Sequence, residues 1–357
     1  MPQSVEKKKN RLITLDYLRG FFIVVIIVDH LARWPSVLAL ISGKALLWVT
    51  AAEGFVAISG LLVGYVRGYK NQDLPMKEVS IKLLRRAGQL YIWSIITTLI
   101  YTAIIWYVPL KGGAPGMPID HGQWSELIYQ TLTLQYTYVW SHFLTLYALF
   151  LAAAPLAIWL LRRNKAWLVV LLSIFMLVVG YMTNNQALQW QIIFFIPSVA
   201  GFYLPSILKW WNALTRKARL VLTSMTIGLT ILTIGLSIIM TFYGGDFATL
   251  AEQINDSFEK SAIGPWRVIM AFLWFTGFIL IFNLLGKYIG KAFGWLLLTF
   301  GTHSLTAYIL HGVAICLISY FTIGSDSIVI NSLLGIICIL IVWAMIKIPF
   351  VQKVIPS

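Results

Sequence analysis

Charge is what this 357-residue sequence has least of: Asp, Glu, Lys and Arg together make up 11% of it. An average soluble domain carries roughly 25%. Charge this sparse cannot cover the surface of a water-soluble protein of this length, which excludes a cytosolic enzyme and a disordered chain. Acids are scarcer still, thirteen against twenty-seven bases. There are two cysteines, Cys316 and Cys338, both inside apolar runs. That excludes a disulfide-stapled secreted scaffold, and the pair reads as small buried hydrophobes. Near the N-terminus no small-residue cleavage site closes a short apolar core. The first apolar stretch therefore reads as a retained span, not a signal peptide.

What fills the chain is hydrocarbon, 59% of residues being hydrophobic. A membrane-spanning helix needs about 20 apolar residues. Stretches of that length fall near 12–34, 45–66, 83–108, 141–161, 166–183, 189–208, 220–243, 265–286, 292–321 and 328–349. The semi-apolar run 127–140 reads as an amphipathic or re-entrant piece. The expected fold is all-α, a polytopic membrane helix bundle of about ten transmembrane helices forming one domain over 1–357.

The bases set its direction. With the N-terminus inside, twenty-one of the twenty-seven fall on inner segments, five fall on outer ones (Arg33, Lys44, Lys111, Lys260, Arg267), and Arg19 lies within the first span. This bias predicts both termini in the cytoplasm and a multi-pass protein of the cell membrane. It also accounts for the net charge of +14 by topology, with no nucleic acid as partner. The acidic outer loop 244–264 reads either as a solvated loop or as an extracytoplasmic cap.

Ionisable groups inside spans cost at least ~2.5–3.5 kcal/mol each at mid-bilayer, so the few present are informative. The first span carries Asp16, Arg19, Asp29 and His30. Arg19 and His30 are eleven residues apart, three helical turns plus about 20°, on one face and about 16 Å apart along the axis. Asp16, three residues before Arg19, can orient its guanidinium. Asp29 is grouped with the catalytic candidates, although it points about 100° away from His30. Glu53 is the only acid of the second span. The small residues around it (Ala51, Ala52, Gly54, Ala57, Ser59, Gly60, Gly64) allow close approach of a neighbour. Packing of spans one and two would bring Glu53 to His30.

His30, His142 and His311 are expected at similar depth, either packed singly or lining one polar cavity. No metal is expected, because no His-x-x-His or Cys/His cluster occurs. The inner loop ending in KLLRRAGQLY, with Arg85 and Arg86, reads as a topology anchor or as a landing site for a phosphate-rich molecule.

The string R-x-x-x-L-D-x-L-R-G…D-H from Arg11 to His30, with AAEGFVAISGLLVGY at 51–65, resembles the acyltransferase-3-like membrane superfamily, and its OpgC group in particular. That group is named for the succinyltransferase of osmoregulated periplasmic glucans. Weaker matches are HFLTLYALFLAAAPL (142–156), FFIPSVAGFY (194–203) and FGTHSLTAYILH (300–311). The resemblance implies transfer of an acyl group from cytoplasmic acyl-CoA, a co-substrate and not a resident cofactor, to a glycan hydroxyl outside. By the same resemblance His30 is catalytic and Arg19 serves donor binding or the integrity of the site.

The combined expectation has Arg19, Asp16, Arg85 and Arg86 holding the donor, and His30 acting as general base, or as a transient acyl carrier, with Glu53 as its orienting carboxylate. His311, His142 and Arg267 contact substrate. A succinyl group would want a cation at its far end, from Arg33 or Arg267; an acetyl group would not. The other class of reading is a secondary transporter or flippase of a polar envelope precursor. Polar residues gathered in the first two spans, with no matching pattern in the second half, favour the enzyme.

Overall fold

The computed structural model describes residues 12–242, 248–260 and 263–355. Lys7, Lys8, Lys9, Arg11 and Asp246, on which part of the charge and motif reading rests, lie outside the described residues. Among the described residues every regular element is helical. In chain order these are α1 (Ile13–Leu31), α2 (Val37–Ser42), α3 (Ala51–Leu62) with a π-helical continuation (Val63–Lys70), α4 (Met76–Tyr107), α5 (Trp124–Leu132), α6 (His142–Arg162), α7 (Ala166–Met182) and α8 (Gln186–Trp190). There follow α9 (Ile192–Phe202), α10 (Leu204–Ala213), α11 (Arg216–Phe242), α12 (Ala248–Asp256), α13 (Pro265–Thr302), α14 (Ser304–Phe321), α15 (Ile328–Ile346) and α16 (Pro349–Val354).

Among the described residues six helices (α4, α6, α11, α13, α14, α15) are long and apolar enough to cross a membrane. The bent run α8–α10 makes a seventh if it is one span. α1 is 19 residues long yet falls outside this set, because Asp16, Arg19 and Asp29 interrupt it. α11 shows what the surrounding medium is. Its only buried residues are Thr230 and Ser237, and Leu229, Ile231, Leu232 and Ile239 are exposed. A helix whose buried positions are two hydroxyls and whose exposed ones are largely aliphatic is built for hydrocarbon outside, where a polar group must find its partner within the protein.

The bundle forms around α1. Phe21 packs on Phe278 and Phe282 with centroids 5.7 and 5.6 Å apart, and the Thr14 hydroxyl donates to Asn283 at 2.8 Å. Gly20 lies against the carbonyl of Leu297, and Gly301 against that of Asp16. On a straight helix residues 283 and 301 would be ~27 Å apart, yet their partners Thr14 and Asp16 are near neighbours. α13 therefore bends around α1. Its first half meets the Thr14–Phe21 face, and its second half meets the face of Asp16 and Gly20, some 200–240° round. Gly286, Gly290 and Gly294 soften the intervening turns. The expected break near Lys287 and Lys291 is not a break in the helix, since lysine ends a span but is a good helix former. The chain breaks at His303 instead.

The tight face of the second span finds a different neighbour from the one expected. Gly60 and Gly64 meet the carbonyls of Phe194 and Ser198 on α9, and Gly201 meets that of Leu61. Of Gly54, Gly60 and Gly64, the first is the one that faces α1, where it admits the ring of Phe22. A Cβ at position 64 would sit 1.8 Å from the Ser198 oxygen. Overpacking costs about 1–3 kcal/mol where side chains can yield, and a backbone carbonyl yields least. Gly64→Val is expected to lower the thermal unfolding temperature in detergent sharply. Gly88→Ala, whose Cβ would meet nothing within 4 Å beyond its own helix backbone, should leave it unchanged or raise it slightly, alanine being the better helix former.

Candidate active site: two histidines above a basic vestibule

His30 lies in the last turn of α1, and α14 brings His311 against it. His30 Nδ1 and His311 Nε2 are 2.7 Å apart, and the rings are tilted by 35° with centroids 4.9 Å apart. His311 is 1% exposed, and its Nδ1 is hydrogen bonded to the Tyr308 carbonyl one turn back. α14 is fixed there by Tyr101, whose hydroxyl donates to the Ile309 carbonyl at 2.5 Å and whose ring fills the space left by Gly312.

His30 lines a chamber of about 560 Å³ together with His142, Gln186, Trp190 and Lys260. His142 is held by two contacts, Nε2 to Gln186 Oε1 at 2.9 Å and Nδ1 to the Thr137 hydroxyl at 3.1 Å. The first has only one sense, the ring N–H donating to the amide oxygen, so Nδ1 accepts from Thr137. Phe143 and Tyr308, ring centroids 5.4 Å apart, form part of the chamber wall and also of a neck of about 80 Å³ that contains Arg19, Ser59 and Arg86. Arg86 and Tyr147 are in turn shared between this neck and a vestibule of about 420 Å³ lined by Arg67, Lys82 and Arg85. Arg19 and His30 thus border successive voids separated by two aromatic rings.

Asp16, 8% exposed, stands one turn before Arg19, whose guanidinium lies 5.9 Å from the Phe55 ring centroid. Asp29 turns away from His30, as its angle required, and accepts from the Ser42 hydroxyl at 2.5 Å. Glu53 is not brought to His30. Its Oε1 accepts from Arg267 Nε at 2.6 Å and lies in ion-pair contact with Nη2 at the same distance, and its Oε2 takes the Thr50 amide at 3.0 Å and hydroxyl at 2.6 Å. Arg267 also donates to the Phe258 carbonyl at 2.6 Å. Glu53 thus caps α3 and ties it to α13, and Arg267 is spent on that bond. Arg33 likewise donates to the Thr322 carbonyl and hydroxyl at 3.2 and 3.0 Å, joining the end of α1 to the end of α14. In the loop 244–264, read as either solvated or a cap, Asn255 of α12 accepts from the Trp48 indole at 2.9 Å.

The direct pairing of His30 with His311 exceeds what their matched depth implied. Lys260 was missed as a chamber residue; its only signal is that it is the one base in the loop 244–264. Among the described residues no group of three or more His, Cys, Asp or Glu is placed to hold a metal.

A basic vestibule, a narrow neck and a histidine chamber in series suit a reaction between a charged donor entering at one end and an acceptor entering at the other. No curated protein and no solved structure matches the chain. One family model does match, described as OpgC protein, over residues 11–350. The chain therefore belongs to the OpgC family and is an acyltransferase-like membrane protein, a transferase.

Proposed function

We propose that the protein is a multi-pass O-acyltransferase of the cell membrane. It takes an acyl group from acyl-CoA in the cytoplasm and transfers it to a hydroxyl of an extracytoplasmic glycan or envelope polysaccharide. In this reading α1, α3, α4, α6, α7, α9, α11, the first half of α13, α14 and α15 are ten crossings, and both termini are cytoplasmic. The vestibule then opens inward and the chamber outward. The observation that carries the reading is the series of shared walls, Arg86 and Tyr147 below, Phe143 and Tyr308 above, joining a cationic cavity to a histidine chamber.

The phosphates of the donor rest on Arg67, Arg85 and Arg86, since guanidinium forks suit phosphate oxygens. Arg19 receives the arm in the neck, and the thioester reaches the chamber when the Phe143 and Tyr308 rings part. There His30 takes the proton of the acceptor hydroxyl. The freed oxygen forms a bond to the thioester carbonyl carbon, and the carbon–sulfur bond breaks. The thiolate leaves with the proton that His30 had accepted, so the products are an ester and free CoA. Such general-base help is worth ~10²–10⁴-fold.

Arg33 and Arg267 are both engaged elsewhere, so among the described residues the cation that lines this chamber and can meet the far end of an acyl group is Lys260. That favours succinyl over acetyl. A charge-assisted contact contributes about 1.5–3 kcal/mol. Purified full-length protein should pass label from succinyl-CoA to envelope glucans, detected by mass spectrometry. Lys260→Gln should slow succinyl transfer about ten- to a hundredfold and leave acetyl transfer unchanged. Wild-type protein that transfers no acyl group from either thioester would end the reading.

A further inference from the structure

The geometry assigns His311 a role other than contact with substrate: we infer that it is a positioning residue that fixes which nitrogen of His30 carries the lone pair. The inference rests on the transferase reading for its rate test but not for its spectroscopic one. Hydrogen-bond logic leads to it in three steps. The Tyr308 carbonyl can only accept, so His311 Nδ1 must bear the hydrogen. In the neutral ring Nε2 is then an acceptor. His30 Nδ1, 2.7 Å away, must therefore be the donor, which leaves His30 Nε2 unprotonated. His30 lines the chamber and His311 is buried behind it, so the free lone pair belongs to the ring that substrate can reach.

This tautomer is the less favoured one for an imidazole in water, where hydrogen prefers Nε2. The protein has to impose it, and the Tyr308–His311 pair is the means. When His30 accepts a proton from the acceptor hydroxyl, its Nδ1–H stays bonded to His311 Nε2. The positive charge is then stabilised by a neutral acceptor where a carboxylate would otherwise serve. Glu53, engaged with Arg267 and Thr50, is not available for this.

The test uses the full-length protein in detergent, labelled with ¹⁵N-histidine. The His30 signal, identified by its loss in His30→Gln, should show hydrogen on Nδ1, and in His311→Ala it should move to Nε2. An Nε2–H form in the wild type overturns the inference, whatever the enzyme's activity. In kinetics, His311→Ala should lower kcat about 10–100-fold, the usual scale for loss of an orienting partner, with KM for donor and acceptor unchanged. His311→Gln, whose amide oxygen can accept from His30 Nδ1, should recover most of the rate. A raised acceptor KM with intact kcat would return His311 to substrate contact and overturn the inference. Equal loss in the Ala and Gln variants would overturn it too. Absence of transfer in the wild type would end the transferase reading, and the tautomer would still be decided by the spectrum.

Discussion

His30→Ala should abolish measurable acyl transfer, with a fall of ~10²–10⁴-fold expected for loss of a general base, while the protein still inserts and folds. The two halves of this expectation come from the same geometry. His30 sits in the last turn of α1 on the wall of a chamber of about 560 Å³, so truncating it enlarges an existing void that His142, Gln186 and Lys260 also line. The partner left behind, His311 Nε2, can be met by water entering from that chamber. Stability should therefore change by little, and activity by orders of magnitude. The neighbouring Asp29→Asn supplies the contrast. Asp29 is engaged with Ser42, so its substitution should leave transfer within a few-fold of wild type. The check is an acyl-transfer assay on both variants, normalised to monodisperse protein. Near wild-type transfer by His30→Ala would remove the general base from the mechanism.

The sequence made the helical class legible because the solvent is hydrocarbon, and composition reports solvent directly. The face relation of Arg19 and His30 was also legible, because eleven residues in one helix fix it without any tertiary knowledge. What did not follow was the choice of neighbours. The small residues of α3 announced a close contact but not with which helix, and the answer, α9, depends on carbonyls of Phe194 and Ser198 that no local pattern marks. The course of α13 was hidden for a related reason: charge locates the edge of a bilayer, whereas helix continuity depends on backbone propensity, and at Lys287 and Lys291 the two diverge. His311 shows the third limit. Its depth could be counted, but its approach to His30 within 2.7 Å depends on Tyr101 and Gly312, which hold α14 against α4. For Glu53 a local signal did exist. Thr50 and Glu53 stand at capping-box spacing, which marks a carboxylate already engaged at a helix start.

That engagement leads to the second large effect, one of stability. Glu53→Gln should destabilise the protein by about 3–5 kcal/mol, the cost of leaving one member of a buried ion pair without its partner. Glu53 and Arg267 are 1% and 2% exposed, and their bond is a direct polar link between the start of α3 and the start of α13. With a neutral amide at position 53, the Arg267 guanidinium keeps the Phe258 carbonyl but loses its counter-charge. Arg267→Met should do comparable harm from the other side by stranding the carboxylate. The double variant Glu53→Leu with Arg267→Met should be more stable than either single one, since replacing both charges removes the desolvation cost along with the attraction. Thermal unfolding of the three proteins in one detergent reads this directly. The transfer rate per folded molecule, measured well below the unfolding range, separates scaffold from chemistry. A link between α3 and α13 leaves that rate near wild type in Glu53→Gln, whereas a carboxylate acting on His30 would lower kcat in protein that is still fully folded. The distances favour the first outcome, because the three donors to the Glu53 carboxylate come from Thr50 and Arg267, with Arg267 Nη2 in ion-pair contact beside them, and none comes from His30.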